Sequence, residues 1–380
     1  MKILFPYMAR WFAENWTRYH SLLEQIGKLG YEVHIMQPPS MGSKETNFRE
    51  IEKREMENII FHDVHLNKWL WNTKLPFNKI IKKAYYSLAS MKQAKKIIDD
   101  HDIDIVLIYN IPQYFYIKYK NDDTKVIFDY ADDYIDMLSY ELGKLNIKPI
   151  RLLATYLLDK MLLTSNVVLS VSNELAMNTV GNVKVLPNGV DDKFILSSDE
   201  KSRSVNNDYV IGFIGSFEYF IDFDQIIKAA VMLPDCKFLL VGYGRDYDMV
   251  KYLIEINNLN NVELTGGVPH DEIFSYLDRM DVCLNIFKSL PVSHRACPIK
   301  LFEYLGRNKP VISTRLKELE YIDSSSFIYY ADSAEEIVEQ VNIIRNNYDS
   351  AIEKAFRGNS VVRDQYTWKK IATKFIDMTN

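Results

Sequence analysis

Short apolar runs bounded by turn residues recur along the chain, with segments of helical apolar spacing between them. Residues 2–6 read as a strand, 16–29 as a helix closed by Gly30, and 32–37 as a strand closed by Pro38 and Pro39. Further strands are expected at 58–64, 103–109, 125–130, 166–170 and 183–186, with helical patterns at 149–163 and 173–179. The turn 186–191, built on Pro187, Asn188 and Gly189, leads into a polar, charged stretch at 199–208. The pattern then restarts. Strands are expected at 210–215, 237–242, 262–265, 281–286, 310–314 and 327–330, alternating with helices at 223–232, 246–256, 269–278, 298–306, 334–346 and 368–378. Such alternation predicts an α/β protein of two Rossmann-like domains, at 1–190 and 209–365, joined by a linker at 191–208. No Gly-x-Gly-x-x-Gly follows the first strand, so the dinucleotide fingerprint is missing there.

One stretch concentrates candidate chemistry. Residues 294–306, His-Arg-Ala-Cys-Pro-Ile-Lys-Leu-Phe-Glu-Tyr-Leu-Gly, read as a loop and then a helix, followed by a buried strand from Pro310. Ile299, Phe302 and Leu305 give the helix an apolar face, and Gly306 is expected to end it in a left-handed cap. Lys300 and Glu303 lie three residues apart near the helix start. Free N–H groups, a cation and a carboxylate at a helix N-terminus suit phosphates flanked by hydroxyls. The bland alternative is an amphipathic helix with a surface ion pair.

In the first half, Lys125–Tyr130 runs into Asp132 and Asp133, where a parallel strand ends. A carboxyl there can act as a general base, or it can cap a helix. Arg10, Trp11 and Asn15 follow the first strand; they could line an acceptor cleft or fold back on the core. Residues 66–98 carry eight lysines, interleaved aromatics and no acidic residue. They suit an anionic membrane surface, or else a solvated lysine face on a packed helix.

Composition narrows the classes. A net charge of -5 points away from nucleic acid. Cys236, Cys283 and Cys297 have neither disulfide nor metal spacing, and we expect no metal constellation, Asp132–Asp133 included. No apolar run approaches the ~20 residues of a membrane-spanning helix, and no signal peptide is evident. A soluble cytoplasmic protein is expected, peripheral at the inner face of the plasma membrane if 66–98 binds lipid.

The second half resembles glycosyltransferases with two Rossmann-like domains facing across a cleft, the GT-B type. Gly212-Phe-Ile-Gly215, Leu240-Val-Gly-Tyr-Gly244, Thr265-Gly-Gly-Val-Pro-His270, Pro298 through Gly306 and Lys309 through Thr314 stand in the expected order, after the hinge 186–191 with Phe194 and before Tyr366-Thr-Trp-Lys369. The resemblance implies a nucleotide-sugar site in the second domain. Glu303 would hold the ribose, Lys300 the departing diphosphate, Gly215 and Ser216 the phosphates beside Gly242, and backbone near Val268 the base. It also implies that the last helix, 366–380, crosses back to an acceptor-binding first domain, and that closure about 187–208 excludes water.

One position departs from the family-4-like pattern. The first acid of Glu-x7-Glu is Arg295 here. The Pro-x-Lys before Glu-Tyr looks closer to xanthan-type glucuronosyltransferases and teichuronic-type relatives, in which an Asp of the first domain is the base; that role is carried over to Asp132 and Asp133 jointly. Arg295 or His294 would then pair with a uronate on a UDP-glucuronate donor. The expected function is transfer from a UDP-sugar, without a required metal or cofactor, to a glycan or lipid-linked saccharide. A UDP-sugar epimerase of the same fold and a silent nucleotide-sugar-binding subunit are the alternatives.

Overall fold

A computed structural model describes residues 1–12, 16–39, 56–67, 78–142, 148–197, 208–269 and 272–379. The chain forms two compact units, Met1–Pro187 with Lys369–Asn380, and Asn188–Trp368.

The first unit is a parallel sheet of seven strands: β1 Lys2–Pro6, β2 Glu32–Gln37, β3 Ile59–Asp63, β4 Ile105–Ile108, β5 Lys125–Tyr130, β6 Val167–Ser170 and β7 Val183–Val185, ordered β3-β2-β1-β4-β5-β6-β7. Its central strands are continuous apolar runs because helices cover both faces. Ile3, Leu4 and Phe5 of β1 and Val106, Leu107 and Ile108 of β4 are fully buried. Helix Arg18–Lys28 turns Leu22, Leu23 and Ile26 onto the sheet. Helix Trp368–Thr379 buries Ile371, Ala372 and Phe375, and its final carbonyls accept from Lys184 Nζ and Lys125 Nζ at 2.9 and 3.0 Å. Strand order reverses between β1 and β4, which opens a crevice at the strand C-termini.

The second unit repeats the plan with six strands: β8 Val210–Ile214, β9 Lys237–Val241, β10 Val262–Gly266, β11 Val282–Asn285, β12 Val311–Ser313 and β13 Ile328–Tyr330, ordered β10-β9-β8-β11-β12-β13. Its reversal lies between β8 and β11. Buried Asp281 fixes the entry to β8 by accepting from Val210 N at 2.8 Å. Both sheets are wholly parallel α/β layers, in agreement with the expected fold class.

Three local expectations change. Gly306 is the last residue of helix Ile299–Gly306, and the left-handed residue beyond it is Asn308, at φ 56°. Gly306 is small because the chain passes close by: a Cβ there would stand 2.9 Å from Phe194 O. Residues 191–197 of the expected linker pack into the second unit, with Phe194 buried and Leu196 N donating to Gly306 O at 2.9 Å. Residues 198–207 lie outside the described residues. The chain after β4 forms a nine-residue 3-10 helix, Ile111–Tyr119, rather than a simple strand end. Gln113 anchors it by donating to Pro6 O at 2.6 Å and accepting from Tyr109 N at 2.7 Å.

Candidate active site

In the second unit, β8 ends at Ile214, whose N–H and carbonyl both bond the Tyr304 hydroxyl, at 2.8 and 3.1 Å. That clamp ties the strand end to helix Ile299–Gly306. The next residue, Gly215, has φ 147°, and Gly242 at the end of β9 has φ 142°. A Cβ on Gly242 would stand 1.9 Å from Gly215 O, so the two turns interlock only as glycines. Ser216 is exposed, and its N–H has no hydrogen bond among the described residues.

The helix presents its start to this turn. Pro298 is extended (φ -72°, ψ 118°) and helical geometry begins at Ile299, so the first N–H groups have no carbonyl one turn earlier to bond. Lys300 reaches back over the Phe213 ring of β8, its Nζ 4.1 Å from the centroid, and is 5.3 Å from that of Phe287 beyond β11. The amine therefore stands at the β8/β11 reversal. Protein around it lowers its pKa to about 7, and Glu303 partly offsets this. Its surface remains half-open, so we read a crowded but solvent-reachable amine rather than an enclosed one. Glu303 is buried. Val268, two residues past β10, is half-buried.

His294 closes the short helix Pro291–His294. Its Nε2 lies 3.0 Å from Ser289 Oγ, and its Nδ1 accepts from Lys317 N at 3.4 Å. Both ring nitrogens thus serve the loop itself; Arg295, one residue on, is half-buried.

In the first unit, the end of β5 is pinned by a buried ion pair. Arg18 Nε donates to Asp129 Oδ2 at 2.8 Å and Nη2 to Oδ1 at 3.0 Å; the same guanidinium donates to Leu186 O and Pro187 O at 2.9 and 3.1 Å. Asp132 and Asp133, equivalent in the sequence, differ in their surroundings. Asp133 is buried, and its Oδ1 accepts from Asp136 N at 3.1 Å, the N-cap arrangement for helix Tyr134–Leu142. Asp132 is exposed, and its carboxylate has no hydrogen bond among the described residues. Loss of water around the carboxyl pushes its pKa up to about 7; Arg18 and Lys83 pull it down, Asp129 and Asp133 up.

Trp11 is not an acceptor contact: it is fully buried, its N–H donating to Gln37 Oε1 at 3.0 Å and its ring 4.1 Å from that of His20. The loop folds back on the core. Arg10 donates to Pro38 O at 3.2 Å and faces Asp63 at 3.5 Å. Asn15 and residues 68–77 of the lysine-rich segment lie outside the described residues. Helix Met91–His101 buries Met91, Ala94, Ile97 and Ile98 and exposes Lys92, Lys95 and Lys96, the pattern of a solvated face on a packed helix. No described helix is long and apolar enough to cross a membrane.

Residues 208–347 match the family Glycosyl transferases group 1. TuaH of Bacillus subtilis strain 168, named as a teichuronic acid biosynthesis glycosyltransferase, is 30% identical over 177 residues, which span 43% of this chain and 44% of that protein. Sucrose-phosphate synthase from Thermosynechococcus elongatus superposes with a TM-score of 0.75 at 14% identity, over 99% of this chain and 97% of that one. Anabaena Alr3699/HepE, in complex with UDP and glucose, superposes with a TM-score of 0.70 at 15% identity, over 99% and 98%. The interlocked glycine turns and the Lys300 helix lie inside the region that matches the group 1 family, and the two parallel α/β units have the fold of the solved GT-B structures on which the chain superposes.

Proposed function

We propose that this chain is a glycosyltransferase that moves a sugar from a UDP-sugar to a glycan or lipid-linked saccharide, in polysaccharide or cell-surface glycan synthesis. The observation that carries the reading is the placement of Lys300 Nζ beside the Gly215 turn at a sheet reversal. Breaking the sugar–phosphate bond builds charge on the departing diphosphate. A fixed cation, the Ile299 and Lys300 N–H groups at the helix start and the Ser216 N–H offset that charge as it forms, and no metal is required for that role. Glu303 orients the ribose, and backbone near Gly242 and Val268 lines the nucleotide. The UDP and glucose held by HepE and the name of TuaH support a UDP-sugar donor and a glycan product.

Asp132 is the base. It is reachable and unbonded, and a pKa near 7 matches the task of taking a proton from a hydroxyl at neutral pH. Asp133 keeps a capping role. Arg295 replaces an acid that would accept from sugar hydroxyls, so a uronate is the favoured donor sugar and UDP-glucuronate the first to try.

A peripheral position at the inner face of the plasma membrane completes the reading. Residues 66–98 were the sequence candidate, but helix Lys148–Thr164 supports it better: Leu152, Leu153, Tyr156 and Leu163 are all more than half exposed, with Lys148, Arg151 and Lys160 exposed around them. Liposome sedimentation with and without anionic lipid tests it, and binding indifferent to lipid charge would count against it.

The experiment for the function is a donor screen read by UDP or GDP release with acceptor, run beside incubation with each sugar nucleotide alone. Release that depends on acceptor supports transfer. Isomerised UDP-sugar in the absence of acceptor identifies an epimerase instead. Arg295→Ala that leaves the preference for UDP-glucuronate over UDP-glucose unchanged removes the uronate assignment.

A further inference from the structure

We propose that His34, His62 and His101 of the first unit form a binding site for a zinc-like divalent cation. The three residues are far apart in sequence and are brought together by strand pairing. In the parallel β2/β3 register His34 stands opposite Ile60 and Met36 opposite His62, so the two imidazoles share a sheet face, one diagonal step apart. His101 ends helix Met91–His101, and its ring centroid lies 4.4 Å from that of His34 and 5.6 Å from that of His62. One ligand nitrogen from each ring falls within 4.8 Å of the others. His34 Nδ1 and His62 Nε2 are 2.8 Å apart. Tetrahedral zinc with bonds of ~2.0–2.1 Å sets its ligand nitrogens about 3.3 Å apart. The pair therefore opens slightly and His101, half-buried, swings in.

A second feature points to a metal rather than a stack of rings. His34 Nε2 is 2.7 Å from Glu32 Oε1. A carboxylate behind an imidazole fixes its tautomer, orients the ring and raises its basicity as a ligand. With its proton on Nε2, His34 turns the Nδ1 lone pair toward His62 and His101. Without an ion, His62 donates its Nε2–H to that lone pair. With one, His62 takes the other tautomer and both lone pairs face the cation, so no proton need leave. Three imidazoles suit zinc or a similar transition metal, not magnesium or calcium, which take oxygen ligands. The half-exposed side of the cluster leaves room for a water as fourth ligand.

The place in the fold gives the ion its role. Lys2 opens β1 opposite Glu32, and its Nζ donates to His101 O at 2.7 Å. His34 and His101 thus lie on the side where the strands begin, while His62 is the penultimate residue of β3; Asp132 lies beyond the end of β5, separated from β2 by β1 and β4. An ion there joins β2, β3 and the helix leading to β4, and acts on stability rather than on transfer.

The test uses the full chain, stripped with a chelator and titrated with Co²⁺ under visible absorption, with Zn²⁺ as competitor. We expect one equivalent to saturate a tetrahedral absorption that Zn²⁺ displaces, and Zn²⁺ to raise the melting temperature. His62→Gln and His101→Gln should each weaken binding at least tenfold, and Glu32→Gln about tenfold. These residues lie outside the transfer site, so UDP release without added metal should match wild type and report that the variants fold. Tetrahedral absorption unchanged in both histidine variants overturns the assignment. So does a wild-type chain that binds neither ion at micromolar concentration.

Discussion

Gly215 and Lys300 share one small space: a Cβ built on the glycine would stand 2.8 Å from the lysine amine. The turn's bareness and the cation's position are therefore one arrangement. Gly215→Ala would force a left-handed φ on an L-residue, at about 1–3 kcal/mol, and push the amine aside. We expect a lower melting temperature and a donor KM raised at least tenfold, read by thermal melts and UDP release. A normal KM would mean that the amine does not contact the donor.

The lowered pKa of Lys300 has a definite sign in binding. Free, the amine titrates at about 7; beside a diphosphate it is charged. Donor binding at pH 8 should take up close to one proton and at pH 6 almost none, with affinity falling as pH rises through 7. Calorimetry with the UDP-sugar in buffers of different ionisation enthalpy measures this directly. Lys300→Met should abolish the uptake and lower kcat by roughly 10²–10³-fold.

Asp132 and Asp133 should separate cleanly. Asp132→Asn is expected to lower kcat by roughly 10²–10⁴-fold with little change in donor KM. Asp133→Ala should keep most of kcat and lose about 0.5–2 kcal/mol of stability, as a removed N-cap does. Kinetics and chemical denaturation of the two variants decide it, and the opposite pattern reverses the assignment.

A raised carboxyl pKa also predicts how stability follows pH. Between the unfolded value of 3.8 and the folded value of about 7, the folded state holds more protons at Asp132 than the unfolded state. Its contribution therefore falls as pH rises through that window. Asp132→Asn should match wild type in melting temperature near pH 4 and exceed it near pH 8. Equal curves would show that the carboxyl is not perturbed.

Arg18→Met leaves Asp129 buried and without its bidentate partner. A loss of about 3–5 kcal/mol is expected, together with loosening of the 186–187 carbonyls that the same guanidinium holds. Urea denaturation checks the first. Faster amide exchange around 186–188 checks the second.

How much of this was legible in the sequence follows from the range of the interactions. Strands such as Val210–Ile214 and helices such as Phe223–Met232 carry their own apolar spacing, and the two-fold restart after 208 gave the architecture. Lys300 and Glu303 were visible because a helix start is a local feature. Helix Tyr348–Gln365 was not, because Gly358, Asn359 and Ser360 break its helical look. The structure makes Asn359 useful there: its Nδ2 donates to Gly306 O at 2.7 Å. Trp11 could be a cleft residue or a core residue on its neighbours alone, and only Gln37 and His20, distant in sequence, decided for the core. The division of labour between Asp132 and Asp133 and the meeting of His34, His62 and His101 also depend on contacts made only after folding.

The second unit enters at Asn188 and leaves at Trp368, and its two ends run side by side: Val190 pairs with Thr367, Val190 N donates to Tyr366 O at 2.8 Å and Trp368 N to Val190 O at 3.0 Å. Topologically it is an insertion in the first unit. On the ribosome, residues 1–187 emerge before 188–368, yet lack Ile371, Ala372 and Phe375 until 188–368 has been made. The part of the chain made first is therefore the last to be finished. A truncation of only eleven or twelve C-terminal residues should damage the first unit, while residues 188–368 keep every strand of their own sheet.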